Sequence, residues 1–236
     1  SFMKRYRRFE EKGIMKKQCT DSGIRAVSEP TLRRLPVYLR VLRRLDALGR
    51  EWVSCTRLAE HLDRDPTQIR KDLSVTGVAG RRKVGYRVPE VIGAIEHFLG
   101  WDNRTDAFLV GAGSLGRALM GFGGFEQHGL RIVAAFDTAP EVVGTDIRDR
   151  PVFPLEKLPD LARRMHVAMG IITTPPAAAQ SVSDLMILSG IRAIWNFAPV
   201  HLVVRPDVLV ENEDLSAGLA VLSQRLAART NHRTEV

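Results

Sequence analysis

One run of six residues constrains this chain more than any other. Gly111-Ala112-Gly113-Ser114-Leu115-Gly116 follows the apolar stretch Ala107-Phe108-Leu109-Val110 without a gap. It leads into a helix-compatible segment carrying Leu119 and Met120, and a further apolar run from Arg131 to Phe136 ends at Asp137. Three glycines alone say little. Strand, glycines, helix, second strand and terminal acid, in that order, are what a dinucleotide-binding βαβ unit requires. Gly111 permits the turn, Gly113 lets a pyrophosphate approach the backbone, and Gly116 lets helix and strand pack closely. Asp137 would accept hydrogen bonds from the adenosine ribose hydroxyls and disfavour a 2′-phosphate, so NAD(H) is the expected ligand. The other reading is the same Rossmann fold with an empty or altered site.

Further strand–helix alternation extends the unit. Val152 falls on a short strand, Leu155 to Arg164 reads as a helix, and Val167 to Thr173 as a strand ending in Thr174-Pro175-Pro176. Ala177 to Ser189 is a helix, and Ile191 to Asn196 a strand ending in Phe197-Ala198-Pro199. Loops at the carboxyl ends of parallel strands face the ligand crevice, so Thr173, Thr174, Pro175, Asn196 and Pro199 are expected on the nicotinamide side. A last helix, Asp214 to about Arg229, carries Leu215, Leu219, Leu222 and Leu226 in a stripe, to pack on its own domain or on a second subunit.

The first hundred residues differ in charge. They hold 22 Lys and Arg against 12 Asp and Glu, whereas residues 101–236 hold 13 against 15. Positive charge concentrated in one half points to a polyanion, because neutralised phosphates release counterions. Residues 1–28, with Lys4, Arg5, Arg7, Arg8, Lys12, Lys16 and Lys17, read as a basic arm. Leu32, Leu35, Leu39, Leu42 and Leu45 then mark a helix that Gly49 closes, and Ser54 caps a short second one. Asp65-Pro66-Thr67-Gln68 gives a third helix a strong start, with aspartate at N-cap, proline at N1 and glutamine at N3. Ile69 and Leu73 face inward there, leaving Gln68, Arg70, Lys71, Ser74 and Thr76 outward, as in a helix-turn-helix. The alternation Val84/Tyr86/Val88 after Gly77 to Lys83 reads as the strand of a β-hairpin wing whose tip carries Arg81, Arg82 and Lys83. Pro89 to Gly100 is a bridging helix.

The expected organisation is a basic arm at 1–28, a winged-helix DNA-binding domain at 29–88, a Rossmann domain at 89–213 and a dimerisation helix at 214–236. The DNA-facing set is Gln68, Arg70, Lys71, Ser74, Arg81, Arg82, Lys83 and Tyr86, with double-stranded DNA as the partner. Cys19 and Cys55 lack metal-ligand spacing, and no apolar run is long enough to span a bilayer, so a cytoplasmic protein without metal is expected. Catalysis is not expected. Tyr86 is the last tyrosine, Lys157 is the only lysine after residue 100, and His128, His166 and His201 form no constellation.

Taken in order, these segments resemble the Rex family of redox-sensing repressors from about Ser28 to Leu226. The most specific stretches are Arg34-Leu35-Pro36-Val37-Tyr38, Gln68 through Ser74, Val84-Gly85-Tyr86, Gly111 through Gly116, Ala134 through Asp137, Asn196 through Pro199, and Asp214-Leu215. The resemblance implies a homodimer that leaves its operator when NADH binds. It also implies a last helix swapped between subunits, Leu215 near the partner's nicotinamide, and a polar switch matched here by Arg34, Phe122 and Asp214. The chain departs from the family at four places. Val75-Thr76 stands for Tyr-Phe, Lys83 for a glycine at the wing tip, Phe122 for the switch tyrosine, and Gly218 for an acid. Phe122 cannot make the tyrosine's hydrogen bond. Two other readings stay open: a constitutive DNA-binding dimer, or sensor of another nucleotide, that has lost redox switching; and an NAD-dependent oxidoreductase.

Overall fold

The computed structural model describes residues 27–234, so the expected basic arm, apart from Ala26's successors Val27 and Ser28, and Cys19 lie outside the described residues. The chain divides into two compact units, one through Ile95 and one from Glu96.

The first unit comprises α1 (Glu29–Ala47), β1 (Trp52–Val53), α2 (Cys55–Leu62), α3 (Pro66–Ser74), β2 (Tyr86–Arg87) and most of α4 (Val88–Phe98). Leu35, Leu39 and Leu42 of α1 are buried, as are Leu58 of α2 and Ile69 and Leu73 of α3. Each such side chain stabilises the fold by about 1.5–3 kcal/mol relative to exposure. Leu32, expected on the same stripe, is instead exposed. Pro36, inside α1, lacks the N–H that would bond the Leu32 carbonyl. The caps stand where the sequence puts them. Ser54 Oγ accepts from the Arg57 N–H at 3.1 Å, and Asp65 Oδ1 accepts from the Thr67 and Gln68 amides.

The wing differs from expectation. Its regular strand is only Tyr86–Arg87, and it pairs antiparallel with Trp52–Val53, a strand not foreseen in the sequence. Gly85 passes so close to this neighbour that a Cβ would lie 2.3 Å from the Val53 carbonyl oxygen, and its φ is +105°. Val88, expected as the strand's end, already opens α4, with Pro89 in the first turn. At the tip, Arg81 and Gly85 exchange backbone hydrogen bonds of 2.7 and 2.9 Å, and the Val84 N–H donates to the Arg81 carbonyl at 3.2 Å. Lys83 is the third residue of that turn, with φ +66°. A turn of this kind reserves the position for glycine. A side chain there costs about 1–2 kcal/mol.

The second unit is a seven-stranded sheet in the order β5-β6-β4-β3-β7-β8-β9, parallel except for the β5/β6 pair. Its strands are β3 (Thr105–Val110), β4 (Leu130–Asp137), β5 (Asp146–Ile147), β6 (Arg150–Pro154), β7 (Met169–Ile172), β8 (Ala193–Asn196) and β9 (Leu209–Asn212). Helices α5 (Ser114–Gly121), α6 (Leu158–Met165) and α7 (Pro176–Leu188) connect them, and α8 (Leu215–Thr234) follows. Successive residues of β3 serve opposite cores, as the two-residue period demands. Phe108 and Val110 pack with Leu158, Val182 and Met186 of α6 and α7, while Ala107 and Leu109 join Met120 of α5. Burial on both faces explains why β3 reads as a continuous apolar run. The short strands β5 and β9 carry no pattern that the sequence reading detected.

Candidate nucleotide crevice and nucleic-acid interface

The order β4-β3-β7 makes β3 the point where the chain reverses direction across the sheet, and ligands of open α/β folds bind outside the strand ends at such a point. The loops expected there are brought together. Thr173 donates through its backbone N–H to the Val110 carbonyl and through its hydroxyl to the Gly111 carbonyl at 2.7 Å. The Ala112 N–H donates to Asp137 Oδ2 at 2.7 Å, tying the glycine loop to the end of β4. Asp137 Oδ1 accepts from the Thr138 and Ala139 amides. Each carboxylate oxygen has two lone pairs, so Asp137 keeps one acceptor position, on Oδ2, for a ribose hydroxyl.

The glycines divide by environment. A Cβ on Gly111 would lie 2.8 Å from the Thr173 backbone, and one on Gly116 would lie 2.1 Å from the Gly111 carbonyl oxygen. A Cβ on Gly113 would meet nothing within 4 Å. Gly113 is also the N-cap of α5 and supplies no side-chain cap. The open concavity therefore faces the first turn of a helix, where amides and dipole favour an anion. Ser114 is exposed and Leu115 half-buried in that turn. Across the crevice the buried hydroxyl of Thr174 has no hydrogen-bond partner. A buried polar atom left unpaired costs free energy and points to a missing partner. Pro175 and Pro199 are exposed at the rim.

Asn196 has a different surrounding. It is fully buried. Its Nδ2 donates to the carbonyls of Ala198 and Val200 and to Asn212 Oδ1, and its Oδ1 accepts from the Ala198 N–H. Its amide holds the 197–200 loop and has no hydrogen left for a ligand. The side chain of Leu215 lies outside the described residues.

In the first unit the dominant polar feature is one that sequence reasoning missed. Asp72 of α3 is 1% exposed and accepts from four side chains. Arg34 reaches it twice, Nε to Oδ2 at 2.6 Å and Nη2 to Oδ1 at 2.8 Å. Tyr38 Oη donates at 2.7 Å, Gln68 Nε2 at 2.9 Å and Thr31 Oγ1 at 3.1 Å. Burial pushes the Asp72 carboxyl up, but the donors of Arg34, Tyr38 and Gln68 outweigh it and hold the group below its ordinary value. Burial, reinforced by the bond to Asp72, pushes the Tyr38 phenol up to about 12. Gln68 thus turns inward, correcting the outward orientation read from the sequence. Its spacing to Asp72 was the available signal, since Gln and Asp four apart share a helix face.

With α3 pinned to α1, the exposed residues of α3 are Thr67 in its first turn and Arg70, Lys71 and Ser74 beyond it. In the wing, Arg81, Arg82 and Lys83 are all exposed, and the Arg81 guanidinium lies over the Trp52 ring, 5.0 Å from its centroid. Tyr86 is half-buried, and burial, followed by the neighbouring Cys55 thiol, raises its phenol pKa. The three residues matched to the polar switch have separate surroundings. Arg34 is engaged by Asp72 in the first unit, while the Phe122 ring is 56% exposed and stacks edge-on with Phe125 at 4.9 Å. Asp214 caps α8, accepting from the Ser216 amide and hydroxyl at 2.8 and 2.6 Å.

Among the described residues no group of three His, Cys, Asp or Glu is placed to hold a metal, and no helix is long and apolar enough to cross a membrane.

Two family models match the chain: "CoA binding domain" over residues 102–200, and "Putative DNA-binding protein N-terminus" over residues 26–74. The redox-sensing transcriptional repressor Rex of Treponema denticola is 44% identical over 82% of this chain and 92% of that protein. The Rex protein of Porphyromonas gingivalis is 45% identical, covering 85% of this chain and 92% of its own. Among solved structures, RSP in complex with β-NAD⁺ and operator DNA superposes with TM-score 0.82 at 35% identity, over 89% of this chain and 97% of that one. RSP in complex with β-NADH gives 0.80 at 33% identity, over 90% of this chain and all of that one.

Proposed function

The chain belongs to the Rex family of redox-sensing transcriptional repressors, and on that premise we propose that it is a homodimer holding operator DNA under the control of NAD(H). Gly111 to Gly116 and Asp137 would hold the adenosine and pyrophosphate. Thr173, Thr174, Pro175 and Pro199 line the side left for the nicotinamide, and Asn196 shapes that side through its loop. The orphaned hydroxyl of Thr174 is the observation that carries this half of the reading, because a ligand group supplies the partner it lacks. Coenzyme A, suggested by the matching domain family, fits less well. Its ribose carries a 3′-phosphate, which would meet the Asp137 carboxylate.

Arg70, Lys71 and Ser74 of α3 enter the major groove in this reading, and the wing meets the backbone beside it. Assembly is supported by α8, where Leu219 and Leu222 are each 64% exposed. A helix that leaves such a stripe in water gains by laying it on a second copy, consistent with a swap that brings Leu215 to the partner's nicotinamide. When bound, the nicotinamide supplies redox state as a signal. The protein's part is to bind its two forms unequally, since only unequal affinity shifts a dimer equilibrium. Turnover is not part of this reading. Lys157 Nζ lies over the Phe153 ring, and His128 Nδ1 is bonded to the Gly124 carbonyl. Acting on chromosomal DNA also agrees with the cytoplasmic location expected from the sequence.

The test is parallel calorimetric titration with NADH and NAD⁺ at fixed salt. Markedly tighter NADH binding is expected, followed by NADH-dependent release of DNA in gel-shift assays. Equal affinities would refute the switch. Phe122, without a hydroxyl, and Arg34, engaged by Asp72, favour a second reading as a constitutive DNA-binding dimer, for which DNA binding would be insensitive to NADH.

A further inference from the structure

The wing tip carries three adjacent cations, but the structure treats them differently. Arg81 is held twice, by the backbone bridge to Gly85 and by the Trp52 face under its guanidinium. All three side chains are exposed, but of the three only Lys83 has its backbone in the left-handed region that favours glycine, with φ +66°. The turn has no need of a side chain at this position. Lysine is also a poor choice for it, since Asn or Gly would form the same turn at less cost. A strained backbone that persists at an exposed turn directs attention to what the side chain does.

We propose that Lys83 is a phosphate-contact residue of the wing on duplex DNA, and that Arg81 acts instead as the wing's anchor. This rests on the reading of the first unit as a DNA-binding head. At this exposed position of the turn the ammonium group sits on a flexible stem with three donors, and none of the turn's four residues is a carboxylate. A compact ammonium is suited to a single phosphate oxygen, where a planar guanidinium would be suited to a base edge or an aromatic face. Arg81 already occupies an aromatic face. The contact adds affinity without reading sequence.

The measurement is fluorescence anisotropy of the full chain on a labelled duplex of mixed sequence, from about 50 to 200 mM salt, for the parent, Lys83→Asn and Lys83→Gly. Asparagine tolerates the left-handed backbone and removes only the charge. Each phosphate contact contributes about 0.9 to the slope of log K against log salt. Extrapolated to 1 M salt, where that term vanishes, one contact is worth about fivefold at 150 mM. Both variants should therefore bind about fivefold more weakly per engaged head, with the slope shallower by about 0.9. Neither should melt below the parent. Slopes equal to the parent's in both variants would overturn the assignment while leaving the repressor reading intact. A parent that binds no duplex at all would overturn both. Loss of affinity with an unchanged slope would also count against Lys83, because it would trace the effect to wing conformation.

Discussion

Replacing Asp72 by asparagine tests the frame that holds α3 against α1. The substitution preserves size, removes the charge, and turns one acceptor into a donor facing Thr31, Arg34, Tyr38 or Gln68. Breaking one half of a buried charge pair costs about 3–5 kcal/mol. The Arg34 side chain keeps 23% of its exposure, so water recovers part of its solvation and the lower figure applies. For a domain of about 60–100 residues, 1 kcal/mol moves Tm by about 4–8 °C, so the first unit's transition should fall by at least ~12 °C. Calorimetry of the full chain would read this, with hydrogen exchange of the α3 amides showing which unit has loosened. The acid limb offers a second readout. A carboxyl held below its ordinary value contributes stability that is present above about pH 4 and lost as pH falls through the folded value. The parent should lose that contribution in acid, and Asp72→Asn should not. A fall of less than ~4 °C would refute the reasoning, because it would mean that water screens the cluster as it screens a surface ion pair. Adding Arg34→Met should restore part of the loss, since the unpaired cation is then gone.

Gly113→Ala should leave Tm within ~1 °C yet weaken NADH binding at least about tenfold, as its Cβ enters only the open concavity; Gly116→Ala, which drives a Cβ into the Gly111 carbonyl, should lower both, by calorimetry and thermal melts. Tyr38→Phe removes a donor from a buried carboxylate and should destabilise by about 1.5–3 kcal/mol in urea melts. The parent's raised phenol pKa gives stability that is complete below about pH 10 and lost as pH rises through about 12, and Tyr38→Phe should lack that alkaline limb.

Regular features were legible in the sequence because their causes are local. The glycine loop, the Asp65 and Ser54 caps and the alternation of strands with helices depend on neighbours within a few residues. The βαβ reading of Gly111 to Asp137 carried through to a switch point with the expected loops around it. What escaped depends on residues distant in the chain. Asp72 sits among charged residues, where an aspartate is ordinarily solvated, and only the return of α1 brings Arg34 and Tyr38 to it. Asn196 occupies a strand end that suggests a ligand contact, yet Asn212, from another strand, helps to saturate it. The wing's real partner, Trp52–Val53, is a two-residue strand too short to leave a periodic signal.

The five bonds on Asp72 also bear on how such a head can diverge. Loss of Arg34, Tyr38 or Gln68 leaves the buried Asp72 short of a donor, and loss of Asp72 leaves all three without their shared acceptor, so change at these positions is costly. Arg70, Lys71 and Ser74 stand on the same helix and take no part in the cluster. They are open to replacement one at a time, so on the proposed reading of α3 the target sequence can change while the scaffold beneath it stays the same.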